Sequence, residues 1–95
     1  MQQPSEAAAA HWKQQISAQK TAIASLQEQI DKLSSSVHFV EANRYSNGVQ
    51  YNQRQLQKQH QVEQMRRQLE EQKQILEQMQ ETARGQGFGS AVYDP

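Results

Sequence analysis

Two stretches of this 95-residue chain repeat an apolar side chain at alternating spacings of three and four, and the second stretch runs in mirrored phase to the first. The first comprises Trp12, Ile16, Ile23, Leu26, Ile30, Leu33, Val37 and Val40, broken only at Gln19. The second comprises Val62, Met65, Leu69, Leu76, Met79 and Ala83, broken only at Gln72. Each pattern places one apolar stripe along a helix. If the chain doubles back at Asn47-Gly48, residues whose numbers add to 95 face each other: Ile16 and Met79, Leu26 and Leu69, Ile30 and Met65, Leu33 and Val62, Trp12 and Ala83. An a position then meets a d position throughout, as an antiparallel coiled coil requires. The expected fold is all-α, an antiparallel two-helix coiled-coil hairpin.

Punctuation supports one break. Between Pro4 and Pro95 there is no other proline, and Gly48 is the only glycine before Gly85. Ser5 suits a helix start, with Glu6 in the first turn favouring the dipole. Arg84 followed by Gly85 suits a helix end with glycine in the left-handed position. Ser34-Ser35-Ser36 is a poor helix interior, because short hydroxyl side chains compete for backbone groups. The sequence therefore divides into an N-terminal tail (1–4), a helical hairpin (5–84) and a glycine-rich tail (85–95). Within the hairpin the expectation is a helix over 5–36 or longer, a connection over about 37–51 and a helix over 52–84. Asn47-Gly48 between β-branched and aromatic residues also allows a small β-hairpin at the tip; the plainer alternative is two helices running on to a short turn. Asn52 with Gln55 three residues later is a capping pattern for a helix that begins late. The tail reads as a flexible linker, with Phe88, Val92 and Tyr93 spaced along it so that they could dock on a partner or back on the hairpin.

Composition narrows the function. Apolar residues make up only 35% of the chain and glutamine supplies 20 positions, so the little hydrophobicity present acts through its periodicity. Ten basic and ten acidic residues cancel, which leaves no excess positive charge for nucleic acid or anionic lipid. There is no cysteine, hence no disulfide and no thiolate metal site. No apolar run approaches the ~20 residues that span a bilayer. The expectation is a soluble chain, cytoplasmic or, with a leader removed, periplasmic or secreted.

A parallel dimer is the rival architecture, since isoleucine at a (Ile16, Ile23, Ile30) with leucine at d (Leu26, Leu33) is its preferred pattern. The phase slip that makes Met65 a d position coincides with Asn47-Gly48, however, and favours the hairpin. So do charges at matching levels across the fold: Lys13 and Lys20 near Glu77 and Glu81, and Glu28 and Asp31 near Arg66 and Arg67. A lone two-helix seam is marginal against chain entropy. Self-association is the natural relief, with Leu56 and Ile75, outside the strict seam, as second contacts.

Nothing in the sequence assembles catalytic or metal-binding chemistry. His11, His38 and His60 share no helical turn, so no metal pair forms at i, i+3 or i+4. The glutamates stand on solvated faces where carboxylates keep ordinary acidity, and no cofactor or small-molecule substrate is implied. Arg54, Lys58, Arg66 and Arg67 read first as a solvated face; a nucleic-acid adaptor would instead show binding that falls steeply with salt. The leading expectation is a non-catalytic structural or protein-interaction module, a helical rod that docks or oligomerises through its seam and ends. Candidate binding residues are His38, Phe39, Tyr45 and Tyr51 at the tip and Phe88 and Tyr93 in the tail, aromatic types enriched at binding hot spots. A chaperone-like client binder, using Trp12 with Ala7–Ala10, and a parallel dimerisation segment are the alternatives.

Overall fold

The computed structural model describes residues 5–44 and 47–95. Two long helices, α1 (Glu6–Ser35) and α2 (Gly48–Gly85), form an all-α antiparallel hairpin, followed by a single-turn helix α3 (Ser90–Tyr93). No strand occurs among the described residues, and no helix is long and apolar enough to cross a membrane. The chain divides into two compact units, one formed by the residues up to Ser25 with Glu70–Pro95 and the other by Leu26–Leu69.

The ends of α1 follow from serine chemistry. Ser5 Oγ accepts the N–H of Ala8 at 3.0 Å, satisfying a donor that has no partner within the helix. At the other end Ser35 Oγ donates to the Asp31 carbonyl at 2.6 Å and Ser36 Oγ to the Leu33 carbonyl at 2.7 Å. The Ser36 and Val37 N–H groups bond three residues back, to Leu33 and Ser34, and tighten the last turn until it stops.

In the Leu26–Leu69 unit, Ile30, Val62 and Leu69 are buried, and Leu26, Leu33 and Met65 are half-buried. Beyond Val37 the apolar seam gives way to a polar one that grips the connection. The Asn52 carboxamide takes both backbone groups of Val40: its Oδ1 accepts the Val40 N–H at 2.9 Å and its Nδ2 donates to the Val40 carbonyl at 2.7 Å. Gln55, buried with 4% exposure, accepts the His38 N–H at 3.0 Å. Asn52 and Gln55 are thus tertiary clamps, not the cap of a late helix, and α2 begins at Gly48, four residues earlier than the sequence suggests. The two helices do not both run on to the turn either, because α1 stops at Ser35.

Gly48 has a reason other than turn chemistry. A Cβ placed on it would lie 2.6 Å from Ala42 Cα and 2.8 Å from the Ala42 carbonyl oxygen, so the connection packs its backbone against the first turn of α2. Gly48→Ala improves helix propensity by about 1 kcal/mol but forces a backbone shift of the kind that costs about 1–3 kcal/mol. We expect a net loss of stability, read as a lower urea midpoint with an unchanged m-value.

In the other unit, Ile16, Ala83 and Phe88 form a buried core with Ala8, Ala9, Trp12, Leu76, Met79, Val92 and Tyr93 packed around it. Ile16 and Met79, a pair expected to face each other, both belong to it. The two seam interruptions meet: Gln19 Nε2 donates to Gln72 Oε1 at 2.8 Å and to the Gln72 carbonyl at 2.9 Å. Their numbers add to less than 95, whereas those of Trp12 and Gln86, joined by a 2.9 Å bond from the indole N–H to Oε1, add to more. The pairings therefore bracket the simple rule by about one helical turn. Charges pair differently from expectation as well: Lys20 bonds Asp94 of the tail, and Glu28 bonds Lys32 of its own helix.

The tail departs most from its expected flexibility. Gly85 ends α2 in helical conformation, and the left-handed residue is Gly87, at φ 96°. The Gly87 N–H bonds the Arg84 carbonyl at 3.0 Å and the Phe88 N–H bonds the Ala83 carbonyl at 3.2 Å, the two-bond Schellman turn with its apolar contact between Phe88 and Ala83. Gly85→Ala meets no atom within 4 Å and should stabilise by about 0.4–1 kcal/mol. Gly87→Ala should destabilise by about 1–2 kcal/mol, because it strains a left-handed position. Thermal melts followed by circular dichroism should move in opposite directions for the two.

Candidate interaction surface

The clamps that stop the seam also display what lies between them. Phe39 sits between His38 and Val40, both held by α2, and is itself 53% exposed. On α2, Val49 and Leu56 stand three residues before and four after Asn52, on one helix face, and are 60% and 46% exposed. Phe39, Val49 and Leu56 are thus exposed large apolar side chains on the connection and the first turns of α2, the two segments that Asn52 ties together. His60, one turn past Leu56, and the Arg44–Glu41 ion pair at 3.6 Å add polar groups nearby. An apolar centre with a polar surround is the usual anatomy of a protein contact.

The other sequence candidates are distributed differently. His38 is exposed and Tyr51 half-buried, while Tyr45 lies outside the described residues. Phe88 is not available at the surface at all, being buried in the core, and Tyr93 is half-buried against it. The seam residues Trp12, Ile23, Leu26, Leu33, Met65, Leu76 and Met79 are half-buried, and Ile16, Ile30, Val62 and Leu69 are buried. Of the patch a client binder would expose, Trp12, Ala8 and Ala9 are half-buried against the core of Ile16, Ala83 and Phe88, while Ala7 and Ala10 are exposed. Ile75 is 41% exposed and belongs to the other unit from Leu56. Sequence reasoning passes over Val49, although it is the apolar residue a heptad before Leu56.

Enclosed chemistry is absent from the recesses described. One of about 530 Å³ runs over Gln74, Glu77, Gln78, Glu81 and Thr82, all on α2, and so is a groove between surface side chains. Another of about 190 Å³ lies between Gln80, Glu81, Arg84, Tyr93 and Asp94, where Arg84 is already engaged by both carboxylate oxygens of Glu81. Among the described residues, no three histidine or acidic side chains gather as a metal site. Compared with known proteins, the chain matches no family model, no curated protein and no solved structure.

Proposed function

We propose that this chain is a non-catalytic protein-interaction module that docks a protein partner through the surface around Asn52. The observation that carries the reading is that Phe39, Val49 and Leu56, on the segments tied together by Asn52, are exposed while Val62 and Leu69 of the seam are buried. The hairpin seam is consumed by intramolecular packing, so apolar contact with another protein must use residues outside it. The clamps preorganise the surface: His38 and Val40 are fixed by Gln55 and Asn52, so little order remains to be imposed on binding.

Site-specific photocrosslinking tests this. A benzophenone side chain at Phe39 or at Leu56, irradiated in cells that produce the protein, should yield the same adduct, and Val49→Ser should abolish both. A probe at Ser17, exposed on the other unit, should not yield it. Adducts that form equally at Ser17, or none at positions 39 and 56, would sink the proposal.

A further inference from the structure

We propose that α1 and the end of α2 form a peptide-binding groove, filled here by the chain's own residues 88–94 and open to the same segment of a second copy by exchange. The groove is built from small residues on both helices: Ala8 and Ala9 on α1 and Ala83 on α2 leave room for the Phe88 ring beside Ile16. Its occupant behaves as a ligand. Phe88 supplies the buried anchor, Val92 and Tyr93 pack against the same cluster, and Asp94 meets Lys20 Nζ, which also donates to the Pro95 carbonyl at 3.0 Å. The groove thus recognises an aromatic residue, an aliphatic–aromatic pair four and five positions on, and an acid immediately after.

The segment has no stability of its own. α3 is one turn, far below the length at which an isolated helix persists in water. What joins it to α2 is Gln86-Gly87, and a change of backbone conformation at Gly87 alone redirects everything beyond it. A second copy carries the identical segment, so the contacts of residues 88–94 with the groove can be remade between two chains, the Schellman turn at Gly87 being given up, and reciprocal exchange closes a two-fold dimer. What exchange gives up is the local concentration of a tethered ligand, on the order of millimolar for a short link. Exchange should therefore emerge as protein concentration approaches that range. This groove lies in the unit that contains the termini and does not depend on the surface around Asn52.

Paramagnetic broadening across copies is the test. A full-length donor chain carries a nitroxide through Ser90→Cys, an exposed position; the acceptor is the wild-type chain labelled with ¹⁵N. In a dilute reference, with label and ¹⁵N in one chain, the Ala8 and Ala9 amides and the Trp12 indole N–H should lose signal. In a concentrated mixture annealed below the melting transition, the acceptor should lose the same signals, and a donor that also carries Phe88→Ser should leave them intact. That control needs only a tail that cannot anchor, so the donor's own fold does not matter. The proposal is overturned if the dilute reference shows no broadening, if the concentrated mixture shows none, or if the Phe88→Ser donor broadens equally. Broadening confined to the neighbourhood of Phe39, Val49 and Leu56 would also overturn it, by showing self-association through the other surface.

Discussion

Phe88→Ala should lower stability by about 3–5 kcal/mol, the usual consequence of emptying a buried phenylalanine site. For a chain of this size about 3 kcal/mol corresponds to a fall in melting temperature of roughly 12 °C or more. Removing the ring has three consequences at once. The cluster around Ile16 and Ala83 is left with a hole, the Schellman turn is without its apolar partner, and Val92 and Tyr93 are without the anchor that holds them against α1. Ile75→Ala removes a comparable apolar side chain from an exposed position and should stay within about 0.5 kcal/mol of wild type. If the glycine-rich tail were a frayed end, both substitutions would melt alike. Circular dichroism at 222 nm separates the cases directly, because α1 and α2 report the loss and the single turn of α3 contributes little.

How much of this can be read from the residues depends on whether a local signal has a local use. The apolar stripes are legible because they serve the period that wrote them: on α1 the buried Ile16 and Ile30 lie two heptads apart with half-buried Ile23 between. Ser5 and Ser34–Ser36 are legible for the same reason, since their hydroxyls act within their own turns. Asn47-Gly48 and Asn52 with Gln55 mislead because each resembles a local device and serves a distant one. Gly48 admits the Ala42 backbone, and the two carboxamides hold residues 38 and 40. A better signal exists. Counting back by sevens from Ala83 through Leu76, Leu69 and Val62 reaches Gln55 and Gly48, both buried, so the heptad of α2 continues after its apolar residues run out. The tail is legible only in part, for a related reason: the spacing of Phe88, Val92 and Tyr93 allows the return to the hairpin that they make, without selecting it over a linker. Three glycines suggest a linker, yet glycine followed by a large apolar residue is also how a helix ends when that residue must return to the core, and only the position of Ala83 decides between them. The surface around Asn52 is legible in part: Phe39 stands out in the sequence, but the clamp that ties Val40 beside it to α2 does not.

The double substitution Gln19→Leu with Gln72→Leu should raise stability and lose uniqueness. These two residues are the only polar interruptions of the repeating stripes, and they meet each other in a half-buried layer joined by two hydrogen bonds. Gln19→Leu alone removes both hydrogen bonds and strands the Gln72 carboxamide, at a cost of about 1 kcal/mol, whereas Gln72→Leu alone leaves Gln19 its 2.9 Å bond to the carbonyl of residue 72 and should cost less. Both together place leucine against leucine. Full burial of each would contribute about 1.5–3 kcal/mol, and half-burial leaves about 1.5–3 kcal/mol for the pair. The double variant should therefore melt above wild type, and by more than the two single variants together predict, the coupling expected of residues in contact. The second consequence concerns alternatives. With Gln19 in place, sliding α2 along α1 sets its carboxamide against apolar side chains, and pairing two chains in parallel buries two such carboxamides against each other at a cost in stability. With leucine there, the isoleucine and leucine pattern of α1 is free to adopt the parallel dimer it otherwise suits. Sedimentation equilibrium should show a higher mean mass for the double variant than for wild type at equal concentration. Spin-label distances between the exposed positions 17 and 78 should broaden from one population to several. A double variant that melts higher yet keeps a single distance and the wild-type mass would assign the choice of partner and register to the clamps at Asn52 and Gln55, and leave the glutamine pair as a hydrated gap in the seam.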